Sequence, residues 1–148
     1  MSNMVIDKLN NMFLQQKLGF YRKDSEEGII LKIPYEIVNK KTKLEIDILS
    51  LNNEDTYIIG FTQSIIKEDS DDVNRELLDM NASLLRGRLS VKKSTQEVNY
   101  SMTVSVSENE ELDYKEYRQN LHYCFYVYFQ LCDYGIIEKK RSVEHVEV

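Results

Sequence analysis

Residues 98–107 alternate more cleanly than any other stretch of the chain. Val98, Tyr100, Met102, Val104 and Val106 fall on one side, and Asn99, Ser101, Thr103, Ser105 and Ser107 on the other. A period of two sends successive side chains to opposite faces of a strand. The segment therefore predicts a strand with one face buried and the other wet or reserved for contact. Such a strand is marginal alone and needs a sheet and a covering layer.

The rest of the chain supplies both. Ile29, Leu31, Ile33, Tyr35 and Ile37 repeat with period two, as do Leu44, Ile46 and Ile48, and then Tyr57, Ile59, Phe61 and Ile65. Polar turns at Asn39–Thr42 and Asn52–Asp55 join these three into an antiparallel meander. Pro34 lacks an N–H, which marks its strand as an edge or a bulge. Leu89 and Val91 form a shorter strand paired through a Ser94–Glu97 turn with the strand at Val98–Val106.

Helical spacing brackets these strands. Val5, Ile6, Leu9, Met12, Phe13 and Leu18 lie on one stripe of a helix over 3–18, with Gly19 at the left-handed end position and Phe20 folding back. Val73, Leu77, Met80 and Leu84 form a second stripe after the polar run Lys67–Asp72, which offers N-caps. Asp113-Tyr114-Lys115-Glu116 opens a third helix that runs to about Tyr134, with Gly135 ending it. The order is α-β-β-β-α-β-β-α, an α+β fold with helices on one face of an antiparallel sheet. It forms a single domain over 1–137, followed by a charged tail at 138–148 that is expected to be mobile.

The 148 residues include 42% hydrophobic and 30% charged side chains, enough for one core and too apolar for disorder. The net charge of −6 disfavours nucleic acid and anionic lipid as partners. Apolar runs are too short to span a bilayer and the N-terminus does not read as a secretory signal, so a cytoplasmic location is expected. The two cysteines, Cys124 and Cys132, are eight residues apart on one helix. That is a rise of about 12 Å, whereas a disulfide needs Cα atoms within roughly 7 Å.

The chemistry of catalysis finds little support. His122 and Cys124 point about 160° apart on a helix and cannot share a zinc ion. Asp69-Ser70-Asp71-Asp72 begins like a calcium loop but lacks its glycine and its closing glutamate. No nucleophile elbow or glycine-rich phosphate loop is present. Neither a metal nor a cofactor is expected, and the chain reads as noncatalytic.

Asp79-Met80-Asn81-Ala82-Ser83-Leu84-Leu85-Arg86-Gly87-Arg88-Leu89-Ser90-Val91, with the strand and long helix that follow to residue 134, resembles the YbjN-type family of the type III secretion chaperone-like fold. The resemblance implies a domain that binds partner proteins, often as a homodimer, without catalytic residues. The chain differs from dedicated secretion chaperones in a more aromatic final helix and a charged tail.

The third helix carries Tyr117, Leu121, Cys124, Phe125, Tyr128, Leu131 and Cys132 on one side, and His122, Tyr126 and Phe129 on roughly the other. An apolar surface nearly all round a helix calls for cover from two directions, and burying each ring is worth about 1.5–3 kcal/mol. Helices one and two of the same chain or a second chain could supply it, and the second chain is the expectation, since tyrosine-rich surfaces favour interfaces. Two groups thus make the candidate protein-binding site: His122, Tyr126 and Phe129 on the helix, and Arg88, Ser101, Thr103 and Ser105 on the polar sheet face. Arg86, Arg88, Lys92 and Lys93 form a small basic patch whose plainer reading is charge that keeps an exposed strand soluble; if it binds a partner, the overall acidity favours an acidic peptide over DNA. The functional expectation is a chaperone- or adaptor-like dimer acting on a protein client by strand addition at the Pro34 edge or by docking an extended segment. The alternatives are a protein that associates only with itself, or an inhibitor or defence accessory from a phage or mobile element.

Overall fold

The computed structural model describes residues 4–37, 42–51, 55–66, 70–107 and 109–137. The expected turn residues 39–41 and 52–54, positions 67–69 of the polar run and the tail at 138–148 lie outside the described residues.

Among the described residues three helices and six strands follow one another as α1 (Met4–Gln15), β1 (Tyr21–Asp24), β2 (Gly28–Ile37), β3 (Thr42–Leu51), β4 (Thr56–Ile65), α2 (Asp71–Ser83), β5 (Arg88–Lys92), β6 (Glu97–Ser105) and α3 (Tyr114–Asp133). The strands form one antiparallel sheet in the order β1-β2-β3-β4-β6-β5. Sequence periodicity accounts for five of these strands. It misses β1, whose Tyr21-Arg22-Lys23-Asp24 is exposed throughout and has no apolar alternation to read.

The strand register sorts the side chains. Leu31, Ile48, Ile59 and Met102 stand in one row across β2, β3, β4 and β6, and Ile33 with Ile46 extends the layer. All six are buried, together with Val5, Leu9 and Phe13 of α1, Leu77 and Met80 of α2, and Tyr117, Cys124, Tyr128 and Leu131 of α3. The other face carries Lys32, Asp47, Ser101 and Arg88 in register and stays at least partly open. There Lys32 bonds to Asp47 (3.0 Å), and the Tyr21 hydroxyl donates to Glu45.

The helix ends follow local chemistry. Ser70 caps α2, its Oγ accepting from the Val73 N–H at 3.2 Å. Asp113 caps α3 through the Lys115 N–H, while no reciprocal bond from Glu116 accompanies it. Gly135 (φ +71°) ends α3, with Ile136 N–H donating to Leu131 O and Gly135 N–H to Cys132 O. That is a Schellman closure, and Leu131 and Ile136 are both buried against each other's turn. In α1 the same closure falls two residues earlier than expected. Lys17 (φ 55°), not Gly19, takes the left-handed position, because Leu18 N–H closes onto Phe13 O and Leu18 itself packs against the core. Phe20 does fold back, its ring 5.1 Å from that of Phe13.

Pro34 lies past the end of β1, which pairs only with Ile29–Lys32. Over Ile33–Ile37 β2 is itself the sheet edge, so the proline reading holds for that half of the strand.

Between Phe61 and Ser64 β4 gains one residue on β6, since these positions face Tyr100 and Val98. Next to this bulge the strands lie close together at Gly60, where a Cβ would lie 1.8 Å from Tyr100 O. Gly60→Ala is expected to lower the stability by at least about 1–3 kcal/mol, the range for overpacking a tight site. Gly19→Ala, with open space around it, should change stability by less than about 0.5 kcal/mol. Urea unfolding midpoints of the two variants check both.

Candidate functional site

The edge of β6 is left half covered. β5 pairs with it from Glu97 to Ser101 and no further, because β5 begins at Arg88. The hydrogen-bond phase of β6 is set by Val106, whose N–H donates to Asp55 O at 2.8 Å on the β4 side. Bonded and non-bonded pairs alternate along an antiparallel ladder. Met102 and Val104 therefore turn their backbone groups toward β4, whereas Thr103 and Ser105 turn theirs the other way. Among the described residues no strand meets them there.

The chain leaves this edge bare because it is pulled aside just before β5. Tyr100 Oη donates to Arg86 O (2.7 Å), the Leu85 N–H donates to Tyr123 Oη (2.8 Å), and Gly87 turns with φ +72°. A Cβ on Gly87 would lie 2.5 Å from Ser101 O and 2.8 Å from the Tyr100 hydroxyl oxygen, so only glycine fits this close turn.

A groove of about 750 Å³ runs beside the bare edge. Its floor includes Met102 and Val104, and its far wall is the first half of α3, with Asp113, Glu116, Gln119 and Asn120. Asn120 is a buried polar residue on the sheet-facing side of the helix. Its Oδ1 accepts from Arg86 Nη1 at 2.9 Å, fixing the arginine at one end of the groove.

Beneath the groove the core is rich in buried acids. Burial drives the Tyr57 phenol up to about 12; the Glu116 carboxylate adds to the shift and the Asn120 amide opposes it. Burial likewise lifts the Cys124 thiol to about 12, and raises Tyr100 and Tyr117 further. These groups stay protonated at neutral pH and serve as packing rather than as proton carriers. His122 is exposed while Cys124 is fully buried, so the two lie on different sides of α3.

The expected binding residues divide into two separate surfaces. Arg88, Ser101, Thr103 and Ser105 lie together on the open sheet face, Arg88 directly beside Ser101. His122 and Tyr126 lie on the outer side of α3, across the sheet from them. Phe129 belongs with neither, since it packs on the core with its ring 5.5 Å from that of Tyr128. The rings of α3 are mostly covered by this chain: Phe125 against Tyr35, Tyr123 against Tyr100, Tyr128 against Phe61 and Tyr117 against Phe13. Tyr126 stays 53% exposed. Gln119 and Asn120 were not singled out from the sequence, and Glu116 only as part of the helix start. The available signal was Asn120, an amide three residues after Tyr117 and four before Cys124, on the line of the apolar stripe.

No protein-family model, curated protein or solved structure matches this chain. Among the described residues no helix is long and apolar enough to cross a membrane.

Folding raises Tyr57 from 10.0 and Cys124 from 9.0, each to about 12. An acid whose folded value is raised contributes its full stability below its unfolded value and loses it as pH climbs to the folded one. Stability is therefore expected to hold up to about pH 9 and to fall steadily between pH 9 and 12. Urea midpoints at pH 8, 9.5 and 11 measure this, and Cys124→Ala should flatten the lower part of the slope.

Proposed function

We propose that the chain is a noncatalytic protein-binding module, chaperone- or adaptor-like, that takes up an extended segment of a protein client in the cytoplasm. The observation that carries this reading is the bare β6 edge, with the N–H and C=O of Thr103 and Ser105 turned away from β4 beside a groove of about 750 Å³. Unpaired strand edges are templates for another chain, and strand addition is a recurrent mode of peptide recognition.

The groove suits this role better than the Pro34 edge. Over Ile33–Ile37 the open side of β2 includes a proline that cannot donate, which blunts pairing. The β6 edge has no such interruption and has a second wall in α3 to hold the incoming segment. The reading agrees with the YbjN-type resemblance, which implies a partner-binding domain.

Self-association forms part of the proposal. Leu85 is 87% exposed and its backbone is bonded to Tyr123, whose ring lies 5.5 Å from that of the half-exposed Tyr126. Leu85 and Tyr126, linked through the partly buried Tyr123, make a ridge suited to a second copy. Light scattering is expected to show a dimer, and the double variant Leu85→Asp, Tyr126→Asp a monomer with unchanged circular dichroism. A wild-type monomer at 100-micromolar scale would remove the dimer from the reading while leaving the groove.

Thr103→Pro tests the groove directly. The Thr103 N–H is not used by β4, so proline removes a donor from the groove without breaking the sheet. Peptides selected from a random displayed library on the wild-type protein are expected to bind the variant about tenfold more weakly, from one lost bond and the ring's bulk. Equal binding by a variant that keeps its urea midpoint would sink the strand-addition reading.

A further inference from the structure

Backbone pairing alone leaves the groove weak. The few bonds that Thr103 and Ser105 can make are each modest in net strength and, by themselves, must also offset the cost of association. Any useful client must gain affinity and direction from side chains or termini.

The groove is asymmetric in both shape and charge. At the Ser101 end it is closed, since β5 occupies the edge from Ser101 onward and the Arg86–Gly87 turn stands in front of it. An added strand cannot run through this end and must stop or bend away there. Arg86 stands at that end, held by Asn120 through one nitrogen. None of the ion pairs among the described residues includes Arg86, so the fork keeps donors available for a planar anion. Asp113, Lys115 and Glu116 line the groove one to two turns of α3 before Asn120, away from this closed end, and mix charges of both signs. A carboxylate is thus drawn to Arg86 at the closed end, and the acidic Asp113 and Glu116, offset in part by Lys115, give it no comparable attraction at the other.

Direction follows from the same asymmetry. A strand antiparallel to β6 runs the way β5 runs, so its C-terminal end arrives at Arg86. A strand parallel to β6 would bring its N-terminal ammonium there, against the guanidinium. We infer that the groove captures the free C-terminus of a protein: the last residues pair antiparallel with Thr103 and Ser105, and the terminal carboxylate accepts hydrogen bonds from Arg86. This rests on the strand-addition reading and narrows it to one class of client, a chain that ends in the groove.

The test uses the full chain and a pool of random nonapeptides made twice, with free C-terminal acids and with C-terminal amides. Individual binders are compared by fluorescence anisotropy on the wild type, Thr103→Pro and Arg86→Gln. Acids are expected to bind about tenfold or more tightly than their amides, with the ratio falling below threefold in R86Q. Binding in which acid and amide are equal, yet T103P weakens both, overturns the carboxylate capture and leaves strand addition standing. Binding indifferent to T103P overturns both. If R86Q loses its native circular dichroism, the Arg86 Nε–Hε resonance of the wild type decides: it should shift with the acid and not with the amide, and the reverse result overturns the proposal.

Discussion

Two tyrosine hydroxyls hold the turn on which the groove depends. Tyr100 rises from β6 through the core, its ring against Phe61 and Tyr123, and ends on the carbonyl of Arg86. Tyr123 comes down from α3 and accepts the N–H of Leu85. Between them they fix the Leu85–Gly87 connection away from the line that β5 would otherwise follow. A buried phenol without a partner is costly, so each hydroxyl prefers the turn in this place. The shortness of β5 beside β6 is therefore a consequence of core packing, and the bare edge comes with it.

The same packing explains where the aromatic residues of α3 went. A helix with rings nearly all round suggests cover from two sides, but wide side chains need not point straight down to be buried. Phe125 reaches sideways to Tyr35 on β2, and Tyr123 reaches the opposite way to Tyr100 on β6. Phe13 of α1 covers Tyr117 from the flank. Phe129, expected to face outward, leans onto Tyr128 instead. What remains outside is Tyr126, His122 and, at the helix end, Tyr134. A helical wheel gives the angle at which a side chain leaves the axis. It does not give the length over which a ring can bend back to the core.

Strands with one dry face were plain in the sequence, because Leu44–Ile48 and Val98–Val106 carry the period of two without interruption. That α2 starts from a cap in the polar run before it, which is Ser70, and that α3 closes at Gly135 were equally plain, each being local chemistry. β1 was not, since Tyr21–Asp24 buries nothing and owes its conformation to pairing with Ile29–Lys32. The end of α1 was misplaced because Leu18 gains more from the core than Lys17 loses in a left-handed turn, a tertiary effect invisible locally. The groove was legible only in fragments. Arg86 and Thr103 could each be named, but their meeting depends on the relative lengths of β5 and β6, which no local pattern encodes.

An exposed strand edge is ordinarily a hazard, and the position of each edge here shows how it is managed. β1 is four residues long and carries Arg22, Lys23 and Asp24. β2 beyond it has Pro34. At β5 the outward N–H of Leu89 is already taken by Asn81 Oδ1 from α2, at 2.9 Å. Charge, proline and a covering side chain are three ways of refusing another sheet. The stretch of β6 at Thr103 and Ser105 uses none of them; α3 walls the adjoining groove on one side and the Arg86–Gly87 turn ends it. A second sheet would have to bring its own helices and neighbouring strands past α3, whereas a single extended chain would not. That difference is the physical basis for proposing this groove as a binding site rather than an unprotected margin.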